Sequence, residues 1–249
     1  MKQEYRKYTR SDMEVWALLF KRQMKNLESH ASARFLEAVE AIGFTSRRIP
    51  DFSETNKRLK RSTGWKIEVV PGIIPPDQFF KLLSMKRFPS STWLRKLEQL
   101  DYLEEPDMFH DAFGHLPLLT NAEYCEFFSG IASIALRHIN EPRAMELLTR
   151  LYWFTIEFGL ILEDEKLKVY GAGLISSAGE TLHSLSEVPR RMPYQVEEIF
   201  NSPFRTDIFQ EKYFMIRSFD ELYASLDEVS IMTDKYLKSK RRVISLSFA

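Results

Sequence analysis

The chain has 249 residues, 44% hydrophobic and 28% charged, a balance that can fill a sizeable core in one large domain or two small ones. Its 35 basic and 35 acidic residues cancel, so no basic excess argues for a nucleic-acid or anionic-membrane partner. The single cysteine, Cys125, excludes an internal disulfide.

The N-terminus, MKQEYRKYTR, lacks the apolar core of a signal peptide, and no run of about 18 apolar residues is long enough to span a bilayer. The expectation is a cytoplasmic protein with no membrane partner. The first part of the chain is helical in pattern: Ala33, Phe35, Leu36, Val39 and Ile42 keep helical spacing, and Gly43 supplies a stop. Pro50 opens what reads as a polar connection, residues 51–60. Trp65–Val70 alternates like a short strand, and Pro71-Gly72 and Pro75-Pro76 constrain the loop that follows. Phe79–Met85 reads as a short helix, with Pro89 ending the pattern. Helical patterns return at about 122–138 and 143–160. Lys168–Tyr170 and Tyr213–Ile216 read as short strands, and Gly171-Ala172-Gly173 as a turn. The tail, KSKRRVISLSFA, is basic and then apolar, which suits a packed terminal strand or a frayed end. No internal repeat, low-complexity tract or flexible linker interrupts the chain. The expected fold is mainly α, with small β elements, in a single domain over 1–249.

The segment that carries chemistry is EEPDMFHDAFGHLPLL, residues 104–119. Two of the five histidines, His110 and His115, lie five residues apart. On an unbroken α-helix that spacing is about 500° of rotation, leaving the rings roughly 140° apart and unable to share a metal easily. Pro106 suits a helix first turn and Gly114 a helix C′ position, with Pro117 beyond. A sharp turn at Gly114 would then bring His115 back toward His110. The spacing is not the HExxH pattern of zinc proteases. A pair of imidazoles does not name a metal. A third ligand is available in Glu157, in the apolar stretch LYWFTIEFGL, where a carboxylate must be paired or metal-bound. Two histidines and one carboxylate make a facial triad with open positions. A helix terminus with satisfied histidines, and a buried salt bridge from Glu157 to an arginine such as Arg150, explain the same residues.

Taken together, these segments resemble the catalytic domain of the aromatic amino acid hydroxylases, the short bacterial phenylalanine 4-hydroxylases in particular. The resemblance runs in order through WALLFKRQ around Trp16, IPDF at Ile49–Phe52, TGWKIEVVPG at Thr63–Gly72, EPDMFHDAFGHLPLL, LYWFTIEFGL, VYGAGLISSAGE at Val169–Glu180 and FQEKYFMIRSF at Phe209–Phe219. It covers a core of about residues 8–222. It implies an Fe(II)-dependent monooxygenase that uses dioxygen and a tetrahydropterin as co-substrates to hydroxylate an aromatic ring. By position it implies His110, His115 and Glu157 as iron ligands and Arg95 as the group that holds the amino acid's carboxylate. It implies Ser176 as a support for substrate and a ligand histidine, and Trp153 and Pro106 as walls of the ring pocket. Gly72, Ile74 and Phe79 match the pterin site, Asp111 an acidic residue near the pterin, and Tyr152 a tyrosine beside the iron. Taken alone, Phe79, Tyr152 and Trp153 would read as core, and Arg95 as a solvated charge.

Animal relatives carry a regulatory domain and a tetramerisation helix. Here the motifs begin near residue 8 and only about 30 residues follow the last, so neither a regulatory domain nor a long tetramerisation helix is expected, and the expected state is a monomer. Leu103 replaces a polar residue just before Glu-Pro-Asp, which bears on pocket polarity and substrate choice. Phenylalanine is the expected substrate and tryptophan the alternative. Two other classes fit the bare residues: a zinc hydrolase using the same His-His-Glu set, and a non-catalytic helical binding protein.

Overall fold

The computed structural model describes residues 1–101, 103 and 105–246, with side chains through residue 238. Thr9 starts the first helix, α1 (Arg10–His30), with a reciprocal cap: its hydroxyl accepts from the Asp12 N–H while the Asp12 carboxylate accepts from the Thr9 N–H at 2.7 Å. Helix α2 (Ala33–Ile42) buries Phe35, Ala38, Val39 and Ile42 and stops at Gly43, whose φ of 70° admits glycine at least cost. The polar segment after Pro50 is not a connection. Asp51 caps the N–H groups of Ser53 and Glu54 and opens α3 (Phe52–Ser62), which buries only Phe52, Thr55 and Leu59. So narrow an apolar stripe is easily read as loop.

Strand β1 (Lys66–Val69) is followed by α4 (Pro76–Ser84), with Pro76 at its first position, and β2 (Arg87–Ser90). Strands β1 and β2 pair in parallel, Lys66 opposite Arg87. The run through Pro89 is therefore an edge strand, where a missing N–H is tolerated. After a π-helical turn at Phe109–His115 come α5 (Ala122–Arg137) and α6 (Pro142–Tyr152). The pattern expected to stay helical to residue 160 breaks at a second π-helical turn, Trp153–Glu157, and gives way to β3 (Leu160–Glu163). β3 turns through Asp164 and Glu165, both at positive φ, into β4 (Lys166–Val169). Residues 171–173, expected as a turn, open α7 (Ala172–Ser176), with α8 (Ala178–Leu185) directly behind it. Then follow β5 (Arg190–Pro193), α9 (Val196–Phe200), β6 (Lys212–Ile216), α10 (Phe219–Ala224) and α11 (Leu226–Leu246). The sheet order is β4-β3-β6-β5, antiparallel only at β3–β4.

The tail, expected as a terminal strand or a frayed end, continues α11 as helix to Leu246, while residues 247–249 lie outside the described residues; Val229, Met232 and Thr233 on the first half of α11 are buried. The aromatic share goes into the core between α1, α2 and the first π-turn. Phe109 and Phe113 stack at 4.9 Å and 15°, edged by Trp16, Phe20 and Phe35. Cys125, on α5, is buried with its Sγ 3.3 Å from the Leu119 carbonyl, an inert thiol whose pKa burial pushes up to about 12. No helix among the described residues is long and apolar enough to cross a membrane.

Candidate metal centre

Both π-turns carry candidate metal ligands. In a π-helix the hydrogen bonds run from i to i+5, so residues five apart come onto one face, as they do not in an α-helix. His110 and His115 share the first π-turn, and their Nε2 atoms approach to 3.2 Å. Phe109 and Phe113 take the opposite, buried face of the same turn and anchor it to the core. In the second π-turn the Phe158 N–H bonds the Trp153 carbonyl at 2.9 Å, and Glu157 closes the turn. Its carboxylate reaches His115 Nε2 at 3.1 Å through Oε1 and His110 Nε2 at 3.6 Å through Oε2. Arg150, the alternative partner for Glu157, bonds Glu146 and the Phe200 carbonyl instead.

The reason for Gly114 differs from the one its position suggests. It lies inside the π-turn and has no positive φ. A Cβ there would sit 2.9 Å from the Ala172 carbonyl oxygen and 3.2 Å from the Ala172 Cβ. Glycine lets the π-turn press against α7, and α7 ends in Ser176, whose hydroxyl meets His110 Nδ1 at 2.9 Å. Pro106 is likewise no first-turn residue; it is exposed, ahead of the turn, at the rim of the cleft.

The hydrogen bonds assign the His110 tautomer. The Ser176 hydroxyl donates its one hydrogen to the Ala172 carbonyl at 2.8 Å, so toward His110 it can only accept. Nδ1 therefore carries the proton and Nε2 presents a lone pair to Glu157 and His115. Burial holds the His110 imidazole neutral, its pKa lowered to about 4. Burial pushes Glu157 upward, but His115, His110 and the facing Tyr152 hydroxyl outweigh it and the carboxyl is held down at about 2. One ligand atom from each of the three residues lies within 4.8 Å of the other two. Two imidazole nitrogens and an ionised carboxylate converge there, a donor set that fits a divalent cation such as iron, whose binding displaces any proton the donor atoms carry.

These three residues form one wall of a solvent-open cleft of about 580 Å³. Gly72, Ile74 and Phe79 line the same cleft, as do Asp111, Tyr152 and Pro106 among others. Phe79 meets the Tyr152 ring edge-on at 5.1 Å. Asp111 accepts from the Ser91 N–H at 2.7 Å, and burial pushes its carboxyl up to about 7. Arg95, Trp153 and Ser176 do not line this cleft. Ser176 stands behind His110, and Trp153 starts the π-turn that ends in Glu157.

Arg95 is no solvated charge. It is 8% exposed, and its Nε and Nη2 hold the fully buried Asp107 carboxylate at 2.9 Å each. The guanidinium thus keeps its Nη1/Nη2 edge for another acceptor, with only a 3.5 Å contact from Nη1 to the Leu100 carbonyl. Sequence reasoning passed over Asp107. It also accepts from the His110 N–H at 3.2 Å, tying the arginine to the turn that carries the candidate histidine ligands. Its position three residues before His110 in EPDMFH was the available signal. Phe88 was missed too; its ring lies 4.7 Å from that of His115, and nothing in its local pattern separates it from core.

A family model described as biopterin-dependent aromatic amino acid hydroxylase matches residues 3–242. The chain is 44% identical over 223 residues to a phenylalanine-4-hydroxylase of Chromobacterium violaceum, covering 87% of this chain and 73% of that protein. It is 40% identical over 221 residues to a phenylalanine-4-hydroxylase of Pseudomonas aeruginosa, with 89% and 84% covered. The crystal structure of the C. violaceum phenylalanine hydroxylase with bound oxidised Fe(III) superposes with a TM-score of 0.89 at 40% identity, covering 93% of this chain and 86% of that one. The zinc-hydrolase and binding-protein readings do not account for matches of this extent, and the chain belongs to the biopterin-dependent aromatic amino acid hydroxylases.

Proposed function

We propose that this chain is an iron(II)- and tetrahydropterin-dependent monooxygenase that converts phenylalanine to tyrosine. The observation that carries the reading is the convergence of His110, His115 and Glu157 on one point of a cleft that Gly72, Ile74 and Phe79 also line. His110, His115 and Glu157 would hold the iron at the edge of the cleft. Bound there, iron and pterin supply the activation of dioxygen, a chemistry that no protein side chain provides.

The protein's part is to bind, orient and exclude water. Ser176 keeps the proton of His110 on Nδ1 and aims Nε2 at the metal. Phe79 offers a ring face for the pterin to stack on, and Gly72 and Ile74 bring backbone close to it. Asp111, held partly protonated near neutral pH, sits beside the pterin, where it can donate or accept a hydrogen bond. Tyr152, its own proton held firmly by burial, stands against Glu157 and keeps solvent from the metal. Arg95 takes the substrate carboxylate on its Nη1/Nη2 edge while Asp107 fixes the opposite edge, so the fork is oriented before substrate arrives.

The residues that the resemblance assigns to the ring pocket, Pro106 and Trp153, are apolar, as is Leu103 before them, which supports phenylalanine over tyrosine. An unpaired phenol hydroxyl buried there costs roughly 1–3 kcal/mol, about tenfold to a hundredfold in preference. The chain works as one catalytic domain, a cytoplasmic monomer, with no nucleic-acid or membrane partner. Anaerobic loading with Fe(II), followed by oxygen, tetrahydropterin and equal phenylalanine, tryptophan and tyrosine, tests the reading. Tyrosine formed from phenylalanine is expected to accumulate fastest. Faster accumulation of 5-hydroxytryptophan or dihydroxyphenylalanine overturns the substrate assignment.

A further inference from the structure

The segment between α9 and β6 is closed around one side chain. Gln210 is 5% exposed and every polar atom it has is bonded. Its backbone N–H donates to Glu180 Oε1 at 3.0 Å, and its carbonyl meets His183 Nε2 at 3.1 Å. The same Glu180 oxygen accepts from the Tyr213 hydroxyl at 2.6 Å, so α8 and β6 grip the segment from both sides. The Gln210 side-chain amide donates to the Arg205 carbonyl at 2.7 Å and the Ile208 carbonyl at 3.2 Å, folding the segment on itself.

These bonds alone would satisfy a loop staple. The remaining atom does something else. Gln210 Oε1 turns away from its own segment and accepts the indole N–H of Trp153 at 3.0 Å. Trp153 is the first residue of the π-turn that ends in Glu157. Phe204, from the stapled segment, stacks on the same indole at 4.4 Å and 17°, and Phe158 leans on it at 4.5 Å. The indole is thus fixed in translation by stacking and in rotation by one hydrogen bond. Only a carboxamide can donate to two carbonyls with one end and accept an N–H with the other. A carboxylate lacks the donors, and an apolar side chain lacks both.

We propose that Gln210 is a positioning residue for the aromatic substrate: it sets the angle of the Trp153 indole, and through it the width of the ring pocket. This deepens the functional reading above and rests on its assignment of Trp153 to that pocket. Gln210 touches neither metal nor substrate and acts only through Trp153.

Two measurements test it. The tie itself is read from the indole N–H signals of the four tryptophans by nitrogen-15 NMR, with Trp153→Phe identifying the Trp153 signal. Gln210→Met is expected to shift that signal upfield and speed its exchange with solvent; an unmoved signal overturns the tie. The consequence is read from the phenylalanine dissociation constant, by calorimetry on the iron-loaded chain under anaerobic conditions, which needs no turnover. Gln210→Met removes the indole's one hydrogen bond together with the two to the Arg205 and Ile208 carbonyls, and is expected to weaken phenylalanine binding about threefold to tenfold in the parent and less than twofold in a Trp153→Phe background. With turnover, less tyrosine should form per pterin oxidised. An equal loss in both backgrounds, or no loss in either, overturns the proposal. If Gln210→Met does not fold, replacing the Trp153 indole by its benzothiophene analogue decides. It keeps the shape of the ring and removes only the N–H that Gln210 Oε1 accepts, so phenylalanine binding should weaken about threefold to tenfold, and affinity within twofold of the parent overturns the proposal. A parent chain that binds phenylalanine but makes no tyrosine counts against the functional reading and leaves the two Gln210 comparisons decisive.

Discussion

Gly114→Ala adds one methyl group where the structure has no room for it. The new Cβ would meet the Ala172 carbonyl oxygen at 2.9 Å and the Ala172 Cβ at 3.2 Å. Neither contact is the end of a flexible side chain; both lie at the start of α7. The strain must move α7 away from the π-turn by a few tenths of an ångström, and overpacking of this kind costs about 1–3 kcal/mol. For a chain of this size, each kcal/mol lowers Tm by about 2–4 °C, so a fall of roughly 2–12 °C is expected by calorimetry. The same shift carries Ser176 with it and loosens the 2.9 Å bond that fixes the His110 tautomer. Loss of such support typically weakens metal binding by about tenfold to a hundredfold, to be read by anaerobic Fe(II) titration. Gly114→Asn separates this account from the left-handed C′ role that the position suggests. Asparagine tolerates a positive φ, so it would outperform alanine if conformation were the constraint. With space as the constraint, the larger side chain must do worse. An asparagine variant more stable than the alanine variant, or an alanine variant with parental Tm and iron affinity, would refute the close-packing argument.

Arg95→Lys should impair phenylalanine binding by about tenfold or more, because an ammonium cannot hold Asp107 with one edge and a carboxylate with the other; unchanged affinity by calorimetry removes Arg95 from the substrate site. Acidification of the metal-free chain sets two groups against each other. The folded pKa of His110 is lowered to about 4, so between pH 6.5 and 4 the unfolded chain gains a proton that the folded chain refuses, and stability falls as pH drops. The folded pKa of Asp111 is raised to about 7, so the same acidification protonates it in the folded chain first and stabilises. Each contribution is about 2 kcal/mol between pH 7 and 5, so the two nearly cancel in the parent. Asp111→Asn should therefore lose about 2 kcal/mol more than the parent over that range in urea titrations, and parallel profiles would contradict the assignment. Light scattering should give a mass near 29.4 kDa, and twice or four times that mass rules out the proposed monomer.

What the sequence by itself determined was a short set of candidate donors. Glu157 was legible because a carboxylate in an apolar stretch needs a partner, and the histidines because they flank Gly114 in a segment punctuated by Pro106 and Pro117. The helices with broad apolar faces, α2, α5 and α6, were legible too, as was the stop at Gly43. Less visible were elements whose buried stripe is narrow, such as α3, or whose pairing is remote, such as β2 and β5. What only the tertiary structure decided was how donors five residues apart meet. An α-helical reading required a turn at Gly114, whereas the chain widens into a π-turn held by Phe109 and Phe113 on one side and α7 on the other. Helical period is a local property that a pattern of apolar residues reports only coarsely. The energy that stabilises a strained local period comes from packing partners far along the chain. The same holds for Arg95, which looks like a surface charge until Asp107, twelve residues on, buries and orients it.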